Sequence, residues 1–333
     1  MIQSPRLTTP LFGFSIVISR SVLPKNQLPQ FRNFSTRKAP ILRPNQPDFY
    51  EKLKQLKAEI IDHNSGVIAF KIADISDFES SIEQQKKISA ITKTVSPAFS
   101  VPSSLEELSI IMPKAVKFFQ DMFFDGSIGS PHTFFGENGE ETYSSLILMN
   151  AGDLESKRGP IHRDFAGKPI IASFVCNILG SSPSGEPLTS ISVLPIADIV
   201  AKLDSEVISI LTDSSNFIFK NNRETPMAPI GLNNGHYLVN YFLEVGPNQN
   251  HSLIPQNDAA KEAYQKLIDT AVALVGSDKA IRIDCDSKSV VALNNKHSVH
   301  CRDEGKTPST SVQQNGNLAV RVAFTGQLVE KRR

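Results

Sequence analysis

Residues that could bind a metal ion occur in a distinctive order along this chain. His162 and Asp164 are separated by one residue, and His300 follows 138 residues after His162. Because side chains alternate along a strand, a His-x-Asp pair on a strand directs both ligands to the same side. Two imidazoles and one carboxylate that leave other positions of the metal open are typical of non-haem Fe(II) sites. Arg321, 21 residues after His300, could hold a carboxylate of a 2-oxoacid through a bidentate pair.

The segments around these residues have the composition of β-strands. An apolar run at residues 170–176 follows the His-x-Asp motif after a Gly-Lys-Pro turn, and a second run at 289–293 precedes His300. Arg321 lies inside a third run, at 318–324, where a buried charge requires a partner. A His-x-Asp tripeptide alone is common by chance, so the prediction of a metal site depends on the order of all these parts.

Taken together, the motifs resemble those of the Fe(II)/2-oxoglutarate oxygenases of the taurine dioxygenase/clavaminate synthase superfamily. The clavaminate synthase-like amino-acid hydroxylases are the nearest group. The resemblance covers roughly residues 140–328 and rests on the pattern of motifs. After the His-x-Asp motif come a segment with a threonine and a serine, at 185–192, and a Val-His-x-Arg element, at 299–302. An arginine on the last core strand completes the pattern.

The resemblance assigns roles to individual residues. It implies three Fe(II) ligands, which are also the expected catalytic residues: His162, Asp164 and His300. It implies that two further side chains bind the carboxylate of 2-oxoglutarate, the co-substrate: Arg321 and Thr189. The substrate itself is not legible in the sequence. Charged residues such as Arg158 and Glu244 are candidate contacts, but a surface or turn position is the more ordinary interpretation of each.

Two of these assignments have an alternative. The interval from His300 to Arg321 is longer than is usual in the family, and no aromatic residue precedes the arginine. Arg302, in the Val-His-x-Arg element, is therefore the alternative ligand for the co-substrate carboxylate. His297 is the alternative to His300 as the distal metal ligand, because on one strand these two side chains would face opposite sides and only one could serve.

The fold that the resemblance implies is α+β, with a double-stranded β-helix (jelly-roll) core and flanking helices. The core would occupy residues 140–328, and the mainly helical flank residues 48–139. The sequence pattern alone indicates a mixed α and β protein with a strand-rich C-terminal half. It also predicts helices at 104–124 and 257–275, and two short helices within 196–209 broken near Asp204.

The activity that the resemblance implies is that of an oxidoreductase. Such a dioxygenase uses Fe(II), 2-oxoglutarate and O2 to hydroxylate an unactivated C–H bond of a small amino-acid-like substrate, and releases succinate and CO2. A mitochondrial oxygenase of the carnitine-pathway type is an alternative, although the chain has no cysteine-rich zinc module of that group. A jelly-roll binding protein that has lost catalysis is a further alternative from a different class.

Composition and charge limit the classes of partner. The chain has 333 residues, of which 40% are apolar and 21% are charged, as expected for a globular protein. The net charge of +1 gives no reason to expect a nucleic-acid or membrane partner. Residues 1–47, however, contain seven basic residues and no acidic one. This segment is expected to be a disordered basic leader, either a mitochondrial transit peptide or a tail of a cytoplasmic protein, ahead of one domain at 48–333.

The three cysteines, Cys176, Cys285 and Cys301, do not suggest a metal or disulfide framework. Their number is odd and no Cys-x-x-Cys motif is present. Small buried thiols are the expected role. Cys301 follows His300 directly, so strand alternation should turn its side chain away from the metal site.

Overall fold

A computed structural model describes residues 37–43, 46–49, 51–52, 54–55, 68–72, 129–131, 134–135, 141–142, 145–150, 158–164, 170–179, 189–244, 251–285, 289–304, 312–314 and 317–330. The chain divides into two units, Met1–Asn33 and Phe34–Arg333, and every described residue belongs to the second. In this part the protein is mixed α and β, as the sequence pattern predicts.

Nineteen strands and three α-helices are defined in the described part of the chain, and the described residues 49, 51–52 and 54–55 are also helical. The strands in chain order are β1 Arg37–Lys38, β2 Ile41–Leu42, β3 Ala69–Ile72, β4 Gly129–Pro131, β5 Phe134–Phe135, β6 Glu141–Thr142, β7 Ser145–Asn150, β8 Ile170–Leu179, β9 Ser190–Pro195, β10 Phe217–Lys220, β11 Glu224–Pro226, β12 Ile230–Asn233, β13 His236–Val239, β14 Ser252–Pro255, β15 Ile281–Asp284, β16 Ser289–Asn294, β17 Ser298–Arg302, β18 Val312–Gln314 and β19 Asn317–Glu330. The helices are α1 Ile196–Val200, α2 Ser205–Thr212 and α3 Asp258–Val275, and a 3-10 turn spans Ser214–Asn216.

Two of the sheets organise the molecule. The small sheet has the order β1-β15-β9-β17, and the large sheet has the order β18-β19-β8-β16-β3-β2, with β4 and β7 also paired to β19. The chain passes repeatedly from one sheet to the other, since β8, β16 and β19 belong to the large sheet whereas β9, β15 and β17 belong to the small one. The remaining strands form a three-stranded sheet, β11-β10-β14, and two hairpins, β12-β13 and β5-β6.

One hydrophobic cluster joins the two main sheets. It contains residues of β9 and β15 in the small sheet and of β3 and β16 in the large sheet: Ala69, Ile191, Val193, Ile281, Ile283, Val291 and Leu293, with Ala39, Ile68 and Cys285. In β9, Ile191 and Val193 alternate with residues that face the other way, and Leu194 packs into a second cluster with the three helices. The small sheet is therefore buried on both faces.

The helices cover the outer face of the small sheet. Helix α3 begins where the Asn257 side chain accepts a hydrogen bond from the amide of Ala260 at 2.8 Å, and it ends at Gly276. Its buried residues lie on one face: Ala260, Ala263, Leu267, Ile268, Ala271 and Val275. The predicted helix at 257–275 is thus confirmed, as is the break near Asp204, which separates α1 from α2. No helix among the described residues is both long and apolar enough to cross a membrane.

The hairpin β12-β13 turns at Asn234 and Gly235, which have positive φ angles of 50° and 80°. An Asn-Gly pair adopts this conformation at low cost, and a turn of this hand matches the twist of the two strands it joins. Asn234 and Gly235 therefore form the two-residue turn of this hairpin.

Part of the segment predicted as a leader, residues 1–47, lies among the described residues. Residues 37–42 pair in both main sheets, because β1 lies parallel to β15 and β2 lies parallel to β3. Leu42 is 2% exposed. The leader at 1–47 stays a prediction, and its residues 1–36 lie outside the described residues. The predicted helix at 104–124 also lies outside them. The described residues of the predicted helical flank at 48–139 include helical residues at 49, 51–52 and 54–55 and strands β3, β4 and β5.

Candidate metal site

A short extended segment carries the His-x-Asp motif, and we call residues 158–164 the ligand segment. The His162 amide donates to the His300 carbonyl at 2.9 Å, and the His300 amide donates to the His162 carbonyl at 2.9 Å. On its other side, the Glu244 amide donates to the Ile161 carbonyl at 2.9 Å. The ligand segment therefore adds to the edge of the small sheet next to β17 and places His162 directly opposite His300.

The register of β17 decides which way His300 points. His300 is paired with Val193, which belongs to the cluster between the two sheets. Val299 and Cys301 belong to the helix-covered cluster on the opposite face. Because directly opposed residues share a face, His162 lies on the same side as His300, and Asp164 follows it two residues later.

The three predicted metal ligands converge. The Asp164 Oδ1 atom lies 3.5 Å from His162 Nε2 and 3.6 Å from His300 Nε2. The two imidazole ring centroids are 4.5 Å apart. One ligand atom from each residue lies within 4.8 Å of the others, and within the described part of the chain no other group of histidine, cysteine or acidic residues meets this condition. The side chains of His162, Asp164 and His300 are 35%, 21% and 10% exposed, so the cluster can be reached from solvent on one side.

The electrostatics of the cluster favour an ionised carboxylate. Burial raises the pKa of Asp164, but the His300 and His162 imidazoles outweigh this effect and hold the pKa well below its ordinary value. Burial lowers the pKa of His162, but its hydrogen bond to Asp164 outweighs burial, so the pKa is raised. A proton on the imidazole and a bound cation would thus both place positive charge beside this carboxylate.

The hydrogen bond of the His162 imidazole is the one expected of a metal ligand. The Nδ1–H of His162 donates to the Pro160 carbonyl at 2.9 Å, which leaves the Nε2 lone pair directed toward Asp164. The Nδ1 atom of His300 is buried and has no hydrogen-bond partner among the described residues. Two imidazoles and one carboxylate at these distances fit a 2-His-1-carboxylate metal site.

The side chains predicted to bind the co-substrate are placed as follows. Thr189 is 3% exposed, and its hydroxyl lies 3.2 Å from the backbone carbonyls of both Ser190 and Asp303, to which it can donate. Thr189 directly precedes β9. It is four positions from Val193, the partner of His300, which corresponds to about 13 Å along an extended chain. Arg302 lies on the same face of β17 as His300, about 7 Å along the strand, and donates to the Asp303 carbonyl at 3.1 Å.

Arg321 lies on β19 of the large sheet. Its backbone is paired with Met149 of β7, next to a register shift after Ala319. The side chains of β19 are outside the described part of the structure. The assignment of the co-substrate carboxylate to Arg321, Thr189 or Arg302 therefore stays a prediction.

The alternative distal ligand, His297, is placed elsewhere. Its ring Nδ1 lies 3.1 Å from the Tyr237 carbonyl, in the turn before β17, and the residue does not belong to the cluster of ligand atoms. His300 is the histidine that the structure brings to His162 and Asp164.

The ligand segment is also held by an ion pair. The Arg158 guanidinium binds the Glu244 carboxylate at 2.7 and 2.8 Å, and the amide of Ile161 donates to the same carboxylate at 2.7 Å. Burial raises the pKa of Glu244, but the Arg158 hydrogen bonds outweigh it and lower the pKa. Both residues were candidate substrate contacts, and the structure pairs them with each other instead.

Two buried residues that no sequence motif singles out make hydrogen bonds at the ligand segment. Arg163, between the two ligands of the motif, is only 6% exposed, and Asn295, in the turn that connects β16 to β17, is fully buried. No motif distinguishes either residue, because Asn294-Asn295-Lys296 reads only as a turn.

Comparison with solved structures shows which proteins share this fold. A crystal structure of asparagine oxygenase in complex with Fe(II), 2S,3S-3-hydroxyasparagine and succinate matches with a TM-score of 0.52 and 13% identity, over 86% of this chain and 85% of that chain. The non-heme iron oxygenase OrfP in complex with Fe, succinate and (3R,4R)-dihydroxy-L-Arg matches with a TM-score of 0.51 and 13% identity, over 85% and 81% of the two chains. OrfP with Fe and L-canavanine gives 0.52 and 12%, over 85% and 80%.

The resemblance inferred from the sequence motifs is thus confirmed at the level of the fold. The matched proteins are iron oxygenases, and two of the three crystals contain succinate. No model of a protein family matches this sequence, and no curated protein sequence matches it.

Proposed function

We propose that this protein is an Fe(II)- and 2-oxoglutarate-dependent dioxygenase that hydroxylates an unactivated C–H bond of a small amino-acid-like molecule. The convergence of His162, Asp164 and His300, with ligand atoms within 4.8 Å of one another, is the observation that carries the proposal. These are the donors that non-haem Fe(II) oxygenases use. Neighbours of the same fold contain iron and succinate, and succinate is the product of oxidative decarboxylation of 2-oxoglutarate.

The arrangement of the two main sheets supports a double-stranded β-helix as the core of such an enzyme. Successive strands alternate between the sheets, and one hydrophobic cluster fills the space between them. In a core of this kind, a site between the sheets is enclosed by apolar side chains and open at one end. His300, on the inner face of β17, lies where such a site is expected.

Ferrous iron held by these three residues would supply the activation of dioxygen, and the protein's part is to bind and orient the reactants. The overall reaction converts substrate, 2-oxoglutarate and O2 into hydroxylated substrate, succinate and CO2, with one oxygen atom of O2 entering each of the first two products. The anionic Asp164 offsets part of the charge of a divalent ion. Pro160 keeps the His162 proton on Nδ1, so that Nε2 is free to bind.

The class of substrate is proposed from the neighbours. The asparagine oxygenase crystal contains a hydroxylated asparagine, and the OrfP crystals contain a dihydroxylated arginine or the arginine analogue canavanine. We propose Arg321 and Thr189 for the carboxylate of 2-oxoglutarate, with Arg302 as the alternative to the arginine.

The proposal is tested by anaerobic titration of the protein with Fe(II) and 2-oxoglutarate. A weak visible charge-transfer band is expected for the wild type and should be lost in Asp164→Ala, because the variant lacks the anionic ligand. Asp269→Ala, which removes an exposed aspartate of α3, is the matched control and should keep the band. Succinate release across a panel of free amino acids then identifies the substrate.

Two outcomes decide between the alternatives. A wild-type protein that retains no iron and gives no band would contradict the oxygenase proposal and favour a binding protein without catalysis. Where the band forms, Arg321→Ala should weaken 2-oxoglutarate affinity more than iron affinity. The same effect from Arg302→Ala, with Arg321→Ala unchanged, would move the co-substrate role to Arg302.

A further inference from the structure

We infer that Asn295 is a positioning residue for the metal site: its buried amide holds the backbone of Asp164 so that the carboxylate faces both imidazoles. The inference rests on the proposed metal site and goes beyond it, because Asn295 is not a ligand and is distant from Asp164 in sequence. It lies at the three-residue turn where the chain leaves β16 of the large sheet and enters β17 of the small one.

The amide of Asn295 replaces a strand partner for Asp164. The Asp164 backbone N–H donates to Asn295 Oδ1 at 3.1 Å, and Asn295 Nδ2 donates to the Asp164 carbonyl at 3.0 Å. Both backbone groups of the ligand residue are therefore satisfied by one side chain, which is 0% exposed. Because one contact needs an oxygen and the other an N–H, the reciprocal pair also fixes the orientation of the amide.

The Arg163 side chain hydrogen-bonds the backbone of Asn295. Its Nε donates to the Asn295 carbonyl at 3.2 Å, and its Nη1 donates to the Asn240 carbonyl at 3.1 Å. Burial lowers the pKa of Arg163 to about 10, which leaves the guanidinium charged at neutral pH. Neighbouring residues of the ligand segment thus exchange hydrogen bonds with the same asparagine, Arg163 through its side chain and Asp164 through its backbone.

This exchange couples the two halves of the ligand set. The turn that contains Asn295 leads directly into β17, and His300 is the third residue of that strand. The hydrogen bonds of Asn295 and the backbone pair between His162 and His300 therefore fix the ligand segment against β17 at two places. Contacts of this kind orient metal ligands, and their removal typically weakens metal affinity by roughly 10- to 100-fold.

The test is the affinity and spectrum of Co(II), measured anaerobically on the full chain. Asn295→Ala is expected to bind Co(II) roughly 10- to 100-fold more weakly than wild type. The visible absorption of the bound Co(II) should also shift, because the Asp164 carboxylate is no longer held. Asn295→Asp, with the same shape but without the Nδ2 donor, should change both quantities in the same direction and decides the matter if Asn295→Ala does not fold.

Asn294→Ala is the matched control. Asn294 is the preceding residue, is 2% exposed, and accepts from the Lys296 amide at 3.3 Å rather than from the ligand segment. It should lower stability while leaving the Co(II) spectrum unchanged. The inference is overturned if folded Asn295 variants bind Co(II) with wild-type affinity and spectrum, or if Asn294→Ala changes the spectrum equally. The proposed metal site is overturned instead if the wild type binds no Co(II), or if His162→Ala binds it as tightly as the wild type.

Discussion

At the scale of single residues, His162 is subject to two opposing influences. Its burial disfavours the imidazolium, whereas the Asp164 carboxylate 3.5 Å away favours it, and the carboxylate prevails. The raised pKa of His162 means that its contribution to stability is fully present below the free value of about 6.5 and is lost as the pH rises through the folded value. The lowered pKa of Asp164 acts oppositely, since its contribution is lost as the pH falls through the folded value.

This balance predicts the effect of Asp164→Asn on the pKa of His162 in the metal-free protein. Without the carboxylate, burial lowers the pKa and only the weaker hydrogen bond to the Pro160 carbonyl still raises it, so the pKa should fall from above to below about 6.5. NMR titration of the imidazole 15N shifts measures it, with His162→Gln to assign the signal among the seven histidines. An unchanged pKa in Asp164→Asn would show that the pair does not exist in solution. In the wild type, metal affinity should rise as the pH rises through the pKa of His162, because the metal binds the neutral imidazole.

At the scale of elements, β2 shows how a two-residue strand can matter to the whole sheet. Ile41 and Leu42 are adjacent and both pair with β3, yet Leu42 is 2% exposed and Ile41 is 47% exposed. Strand alternation alone creates this contrast. The two residues therefore offer a test of the N-terminal boundary in which size and position are matched.

Leu42→Ala should lower the free energy of unfolding by about 2–5 kcal/mol, because it removes a buried side chain and leaves a cavity. Ile41→Ala removes a similar side chain from the exposed side and should cost less than about 1 kcal/mol. Urea unfolding curves at equal slope give both values. Equal costs for the two substitutions would mean that residues 37–42 are not packed on the sheets, as a leader extending to residue 47 would require.

The elements that could be predicted from sequence are those with a strong local pattern. The helix at 257–275 combines a capping asparagine, an apolar stripe and a glycine stop, and the strand runs at 170–176 and 289–293 correspond to β8 and β16. Strand β9 was not predicted, because its alternation is limited to Ser190–Val193 and its serines are buried, so it lacks the continuous apolar run of β8 and β16. Strands β1 and β2 were missed because two residues carry no periodicity and their pairing depends on distant partners.

The same reasoning explains which parts of the site could be anticipated. His162, Asp164 and His300 have chemically distinctive side chains in an order that a family uses, and the structure brings them together. Asn295 and Arg163 have no such pattern, because their contacts depend on how the turn after β16 meets the ligand segment. Long-range register of this kind is not encoded in local composition.

At the scale of the whole molecule, the ligand set joins two distant parts of the chain. His162 and Asp164 lie on the ligand segment, whereas His300 lies on β17, 138 residues after His162. In the unfolded chain, bringing these parts together costs loop-closure entropy, so a preformed metal site does not exist there. A metal ion at the proposed site would therefore bind the folded protein selectively and stabilise it.

The stabilisation should be visible as a thermal shift with Co(II). At a metal concentration of 100 times the dissociation constant, the folded state gains about 2.7 kcal/mol, and a chelator should reverse the gain. His300→Ala removes the ligand from β17 and should abolish the shift. His297→Ala removes a histidine of the preceding turn, whose ring faces the Tyr237 carbonyl, and should keep it, even if this variant starts from a lower melting temperature. A shift that survives in His300→Ala but disappears in His297→Ala would mean that the distal ligand is His297, and that β17 meets the ligand segment in a different register.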